Sequence, residues 1–235
     1  MSNLSSKKFN KKFIIDIKKI NSKDSNTIFN EIELSLKKVN QNFIEKNQFK
    51  VLITDGATVC RKVGKIFKEK YGVKHVICLC HNLHNLAETV RKELKTLGHF
   101  LEVINIKWSK GHHFKQCWNF SKSLPKFPSY VTTRWGTWIK SALFFKNHFA
   151  EILGVFSKFR EGSKSIKVAE KQYKQLLFEF KLLEEVKSLP SVIKNLEKTD
   201  LTLKEQLKIF FSVKNSLKTK IFSDRFDQIV DKNVD

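Results

Sequence analysis

Between Val51 and Leu86 the chain reads V-L-I-T-D-G-A, then a helical stretch, then H-V-I-C-L-C-H-N-L-H-N-L. The first block is an apolar, strand-type run that ends on one carboxylate, Asp55, followed at once by Gly56 and Ala57. In α/β folds a buried strand ending this way presents a metal-binding Asp at the edge that ligands approach. The second block sets Cys78, Cys80, His81 and His84 where a second strand passes into a helix.

The flanking pattern supports this reading. Phe13–Ile17 (F-I-I-D-I) suits a short strand. Asp24 to Lys46 carries Ile28, Ile32, Leu36, Val39 and Phe43 at helical spacing, with Asp24 or Ser25 as N-cap. Phe49–Thr54 reads as a strand and Thr58–Tyr71 as a helix closed by Gly72. Val73–Cys78 reads as a second strand, and His81 to Ile106 as one long helix. Strand, helix, strand, helix in that order gives a parallel pair whose strands end at one edge. On this pattern His81 lies close to Asp55.

Lys107 to Thr133, with Trp108, Trp118, Pro125 and Pro128, reads as an irregular connection containing a short helix near Phe114–Phe120. From Trp135 the pattern is helical. One face runs from Trp135 and Trp138 to Phe156, and further helices are expected over Ser165–Lys187, Pro190–Lys198 and Thr202–Lys218. Ser188 is the expected cap before Pro190, and Thr202 with Glu205 forms a capping box. The last dozen residues read as a polar tail. The expected divisions are 1–20 (basic segment), 21–106 (α/β), 107–133 (connection), 134–222 (helical) and 223–235 (tail).

The 235 residues carry a formal net charge of +22, and a hydrophobic fraction of 41% is enough for a real core. A basic excess of this size points to an anionic partner, most often nucleic acid. Forty of the 45 basic residues are Lys, alongside abundant Asn, Ile and Phe, so AT-rich coding accounts for part of the excess. No run of about 18 apolar residues is present to suggest a membrane span. The first twelve residues lack the apolar segment of a secretory signal. Four irregularly spaced cysteines do not form a disulfide framework, which fits a reducing, intracellular setting.

Each chemical grouping has a plainer alternative. Asp55 suits a divalent-metal site, but Asp before a helix is also a good N-cap. Cys78, Cys80, His81 and His84 could ligate zinc together with His112, His113 and Cys117. Their spacing is not that of a usual structural zinc site, and the alternative is packing at a strand end. In Thr132-Thr-Arg-Trp-Gly-Thr-Trp138, an Arg beside a Trp suits phosphate clamping and base stacking. Trp135 and Trp138, three apart, could equally share a buried face.

Taken in order, T-D-G-A, H-V-x-C-x-x-H-x-L-H and T-R-W-G-T-W resemble the hAT superfamily of transposases and the proteins derived from them. The stretch from Leu189 to Leu203 is similar to the family's downstream segment, so the resemblance covers roughly residues 20–218. It implies an α/β fold: a ribonuclease-H-like core, incomplete here, followed by an all-α insertion domain. Such enzymes hold two Mg²⁺ or Mn²⁺ ions with an Asp-Asp-Glu triad for DNA strand cleavage and transfer. By this resemblance Asp55 matches the second triad Asp and is the metal ligand. Cys78 and His81 match the Cys-x-x-His motif, and Arg134 and Trp135 the Arg-Trp pair, whose Trp stacks on a flipped base. The first Asp and final Glu have no counterpart in this sequence. The expectation is a transposase-derived, nuclear, DNA-binding protein without a complete catalytic triad; the alternatives are a domesticated module whose helical part binds a protein partner, or a gene fragment without activity. A further reading is a complete nuclease that uses Asp16, Asp55 and a later carboxylate such as Glu151 or Asp224.

Overall fold

The computed structural model describes residues 14–17, 19–42, 48–110, 112–120, 124–128, 130–131, 135–158, 171–198 and 201–232. Helix α1 (Ser25–Val39) begins where Asp24 accepts a hydrogen bond from the Thr27 amide at 2.9 Å. That bond satisfies one of the donors a helix start leaves open. The helix stops at Asn40, whose backbone is extended, rather than running on to Lys46 as expected. The expected strand at 13–17 is not formed over Ile14–Ile17. Instead Asp16 turns to α1 and accepts from Ser35 Oγ at 2.8 Å. Phe13 lies outside the described residues.

Strand β1 (Val51–Thr54), helix α2 (Thr58–Tyr71) and strand β2 (Lys74–Ile77) follow. The strands pair in parallel, with Val51 opposite Lys74 and Thr54 opposite Ile77. Gly72 ends α2 in the left-handed region at φ +66°, where a Cβ is disfavoured, and its amide bonds Lys68 O. Phe29 and Leu36 of α1 meet Val63 and Phe67 of α2 and Val73 in a small core. Phe67 contacts Phe29 at 4.6 Å between ring centroids and Phe49 at 5.6 Å. Glu33 ties the two helices together through Lys70 at 2.9 Å and the Tyr71 hydroxyl.

The elements described beyond β2 are helices: α3 (Leu79–Glu93), α4 (Lys95–Lys110), α5 (His112–Phe120), α6 (Trp135–Asn147), α7 (Phe149–Ser157), α8 (Tyr173–Glu185), α9 (Leu189–Leu196), α10 (Leu203–Ser212), a 3₁₀ turn (Lys214–Ser216) and α11 (Lys220–Asp231). Helix α3 is central and packs against α6, α9 and α11, while α4 lies against α6 and α8. A continuous core runs from Leu83 in α3 to Ile229 in α11. Trp118 is buried in it and donates its indole N–H to Pro125 O at 2.9 Å.

Several expected boundaries move, for physical reasons. The long helix from His81 breaks at Leu94, because α8 supplies a cap there. Buried Glu179 accepts the Thr96 and Leu97 amides at 3.2 and 2.7 Å. Glu185, on the same helix, accepts the Lys218 and Thr219 amides, both at 2.8 Å, at the start of α11. The helical face from Trp135 breaks at His148, between α6 and α7. Much of the expected irregular connection is helix: α4 continues to Lys110 and α5 covers His112–Phe120. Ser188 makes no side-chain cap, whereas the Thr202–Glu205 capping box forms as expected. The expected polar tail is helix α11, because Phe222, Phe226 and Ile229 form a stripe buried in the main core.

Over the described residues the architecture is therefore mostly helical, with one short two-stranded parallel sheet. Among the described residues no helix is long and apolar enough to cross a membrane.

Candidate functional site

Parallel pairing in register brings both strands to an end at the same edge, and the Cys78 amide donates to Thr54 O at 2.7 Å. Asp55 therefore leaves β1 beside the point where Cys78 leaves β2. Gly56 follows at φ +80°, and a Cβ there would also lie 2.7 Å from Ile77 Cγ2. Only glycine lets the chain turn this closely over β2.

Asp55 is not the N-cap of α2. Ala57 holds that position, and Asp55 Oδ1 accepts the Ala57 amide at 3.0 Å in a tight turn ahead of the helix. That amide, the Cys60 thiol and the charge of His81 hold the carboxyl below its ordinary range. His81, in the first turn of α3, is thus electrostatically close to Asp55, as the shared strand edge requires. The Cys60 thiol is pushed up by burial and by the Asp55 charge, so it stays protonated and donates.

Cys78 and Cys80 lie side by side. Cys80 donates to Cys78, and the His81 and Cys80 amides at the start of α3 do the same, so Cys78 falls to about 5. Cys80 is pushed up by its bond to Cys78 and by burial. The pair holds its charge on Cys78, a thiolate at a helix N-terminus.

Among the described residues the donor set at this edge is one carboxylate, thiols and an imidazole. Mg²⁺ and Mn²⁺ prefer hard oxygen ligands, and a two-metal site needs converging carboxylates, so this set does not fit that centre. Asp16 is engaged with α1 through Ser35 and Lys38. Glu151 lies in the first turn of α7 and Asp224 on α11. Among the described residues no group of three or more His, Cys, Asp or Glu could hold a metal ion. The zinc grouping is likewise not assembled from described side chains; those of His113 and Cys117 lie outside the description. His112 pairs instead with Gln116 at 3.1 Å.

Arg134 lies outside the described residues. Trp135 is the first residue of α6, and its side chain is not described. Trp138, three residues on, is buried in the core. Cys60 was not among the residues singled out from the sequence. A Cys five residues after Asp55, in the first turn of a helix, is the signal that could have found it.

Comparison with protein-family models, with curated proteins and with solved structures finds no match to this chain.

Proposed function

We propose that this is a transposase-derived, hAT-like DNA-binding protein. In this reading β1–α2–β2 is part of a ribonuclease-H-like core and the helices beyond it correspond to an insertion domain. The observation that carries it is the meeting of Asp55 with Cys78 and His81 at one strand edge, in the order the resemblance calls for. The net charge of +22 supports an anionic partner, and the nucleus is where such a protein would act. With one carboxylate at that edge, these residues do not by themselves run two-metal strand transfer. Metal-dependent strand cleavage abolished by Asp55→Asn would overturn this last point.

The deciding experiment is a salt titration of binding to duplex, hairpin and single-stranded DNA, for the protein and for Trp135→Ala. Steep loss of affinity with salt reports phosphate contacts. A hairpin preference lost in Trp135→Ala would support recognition of transposon ends. Absence of binding to all three at low salt would sink the DNA reading.

One observation favours a second reading, a protein-interaction module. Leu203, Leu207 and Phe211 stand exposed along one face of α10, beside Lys204 and Lys208. A stable protein partner lost in Leu207→Asp, with weak DNA binding indifferent to structure, would favour it.

A further inference from the structure

A basic feature lies on the α/β layer, beside the strand edge, where Arg61 reaches Gly56 and His75 reaches Thr54. Helix α2 buries Val63 and Phe67 and turns Arg61, Lys65 and Lys68 outward at spacings of four and three, one face of the helix. That face is one wall of a cleft of about 410 Å³, completed by His75 of β2 and by Lys232 just after α11. Gly64 makes the close packing here feasible. A Cβ on it would lie 2.3 Å from the His75 ring, so only glycine lets the imidazole rest against α2. The ring is fixed further by Thr54 Oγ1, 2.9 Å from its Nε2.

The charge is lopsided. Among the described residues, Arg61, Lys65, Lys68 and Lys232 share the cleft with one carboxylate, Glu69, which Lys65 approaches at 3.7 Å. Arg61 is anchored by its Nε–H on Gly56 O at 2.9 Å, and a guanidinium has further N–H donors for an anion. A row of lysines on an exposed helix is ordinarily just a solvated face. Here cations from α2 and from the end of α11 converge on one concavity with an oriented Arg and a fixed His. Field lines focus in such a place and the repulsion among the cations favours a bound anion. Arg suits phosphate by its fork of donors and Lys as a point charge. From Arg61 to Lys68 the helix rises about 10 Å, close to the axial rise of about three nucleotides along one strand.

We propose that this cleft, framed by α2, His75 and Lys232, binds the phosphodiester backbone of DNA. The proposal rests on the DNA-binding reading above and adds the surface that carries the phosphate contacts.

The test is the salt dependence of duplex binding for the whole chain, for R61Q/K65Q/K68Q, and for K194Q/K204Q/K208Q, which removes the same charge from the helical body. Each lost phosphate contact lowers the slope of log Kobs against log salt by about 0.9. The cleft variant is expected to lose about 2–3 from that slope and the control variant less than 1. R61K/K65R/K68R, with its charge kept, should retain the slope, which separates loss of contacts from loss of fold. Equal losses in the two Gln variants would mean that only total charge matters, and the cleft assignment would fall while DNA binding stood. Failure of the unaltered protein to bind duplex would sink both readings. Binding of inorganic phosphate by these residues without duplex binding would reassign the cleft to small phosphorylated ligands and overturn the proposal.

Discussion

Among the described residues, the α/β layer rests on a core of five buried side chains that includes Phe67, whereas every helix from α3 to α11 contributes to the core of the helical body. The layer's sheet has two strands, and Val51 and Ile53 of β1 stand 42% and 62% exposed. Two strands bury little area, and helices on one side leave the other side of the pleat open. The helical body closes around α3 instead. Both chemical features, the Asp55 edge and the basic cleft, belong mainly to the less closed region. Functional segments are commonly drawn from the low end of a protein's local stability, because a tightly closed core has no face left for a ligand.

The largest expected effect breaks the better-closed side. Trp138 is 1% exposed, and Trp138→Ala should cost about 3–5 kcal/mol, measured as a lower denaturant midpoint. A cost below 1 kcal/mol would mean that this core is not the main source of stability. Phe67→Ala removes a ring from the smaller core at a similar cost per side chain, but its effect should stay local. Hydrogen exchange should show α1, α2, β1 and β2 losing protection while α3 to α11 keep theirs. Uniform loss would show that the two regions unfold as one.

A smaller effect tests how the helical body sets its own boundaries. Glu179→Ala leaves the Thr96 and Leu97 amides without their acceptor, for about 1–3 kcal/mol. Glu179→Gln, which keeps an acceptor oxygen, should recover part of that, as read by thermal melting. The smallest effect concerns reactivity. Because Cys78 titrates near 5, its thiolate is present through neutral pH and is lost only as pH falls through that value. Cys60, pushed up, remains a thiol until pH rises above the ordinary thiol range. Iodoacetamide at pH 6.5 should therefore label Cys78 well ahead of Cys60, read by peptide mass spectrometry. The reverse order would show that the start of α3 does not hold the charge.

Much of this was legible in local pattern. The alternation around Val51–Leu86 predicted the strand–helix–strand–helix order. Gly72 marked the end of α2, and Thr202 with Glu205 marked the start of α10. That Asp55 and Cys78 leave their strands at one edge followed from parallel pairing. Two of the differences share one cause. The helix expected to run from His81 to Ile106 ends at Leu94 because a carboxylate from α8, more than eighty residues away, caps the next helix. The segment read as a polar tail is helix because its three apolar residues find a place in the core.

Sequence by itself determined the helical periodicities, the glycine turns, the positive charge and the strand-end position of Asp55, since each depends on residues a few positions apart. Only the tertiary structure decided which carboxylate caps which helix, that Cys60 bonds Asp55, and that Lys232 faces Arg61 and Lys68 across one cleft. Those pairings depend on which surfaces bury against one another. That is set by the packing of the whole chain, and no local spacing encodes it.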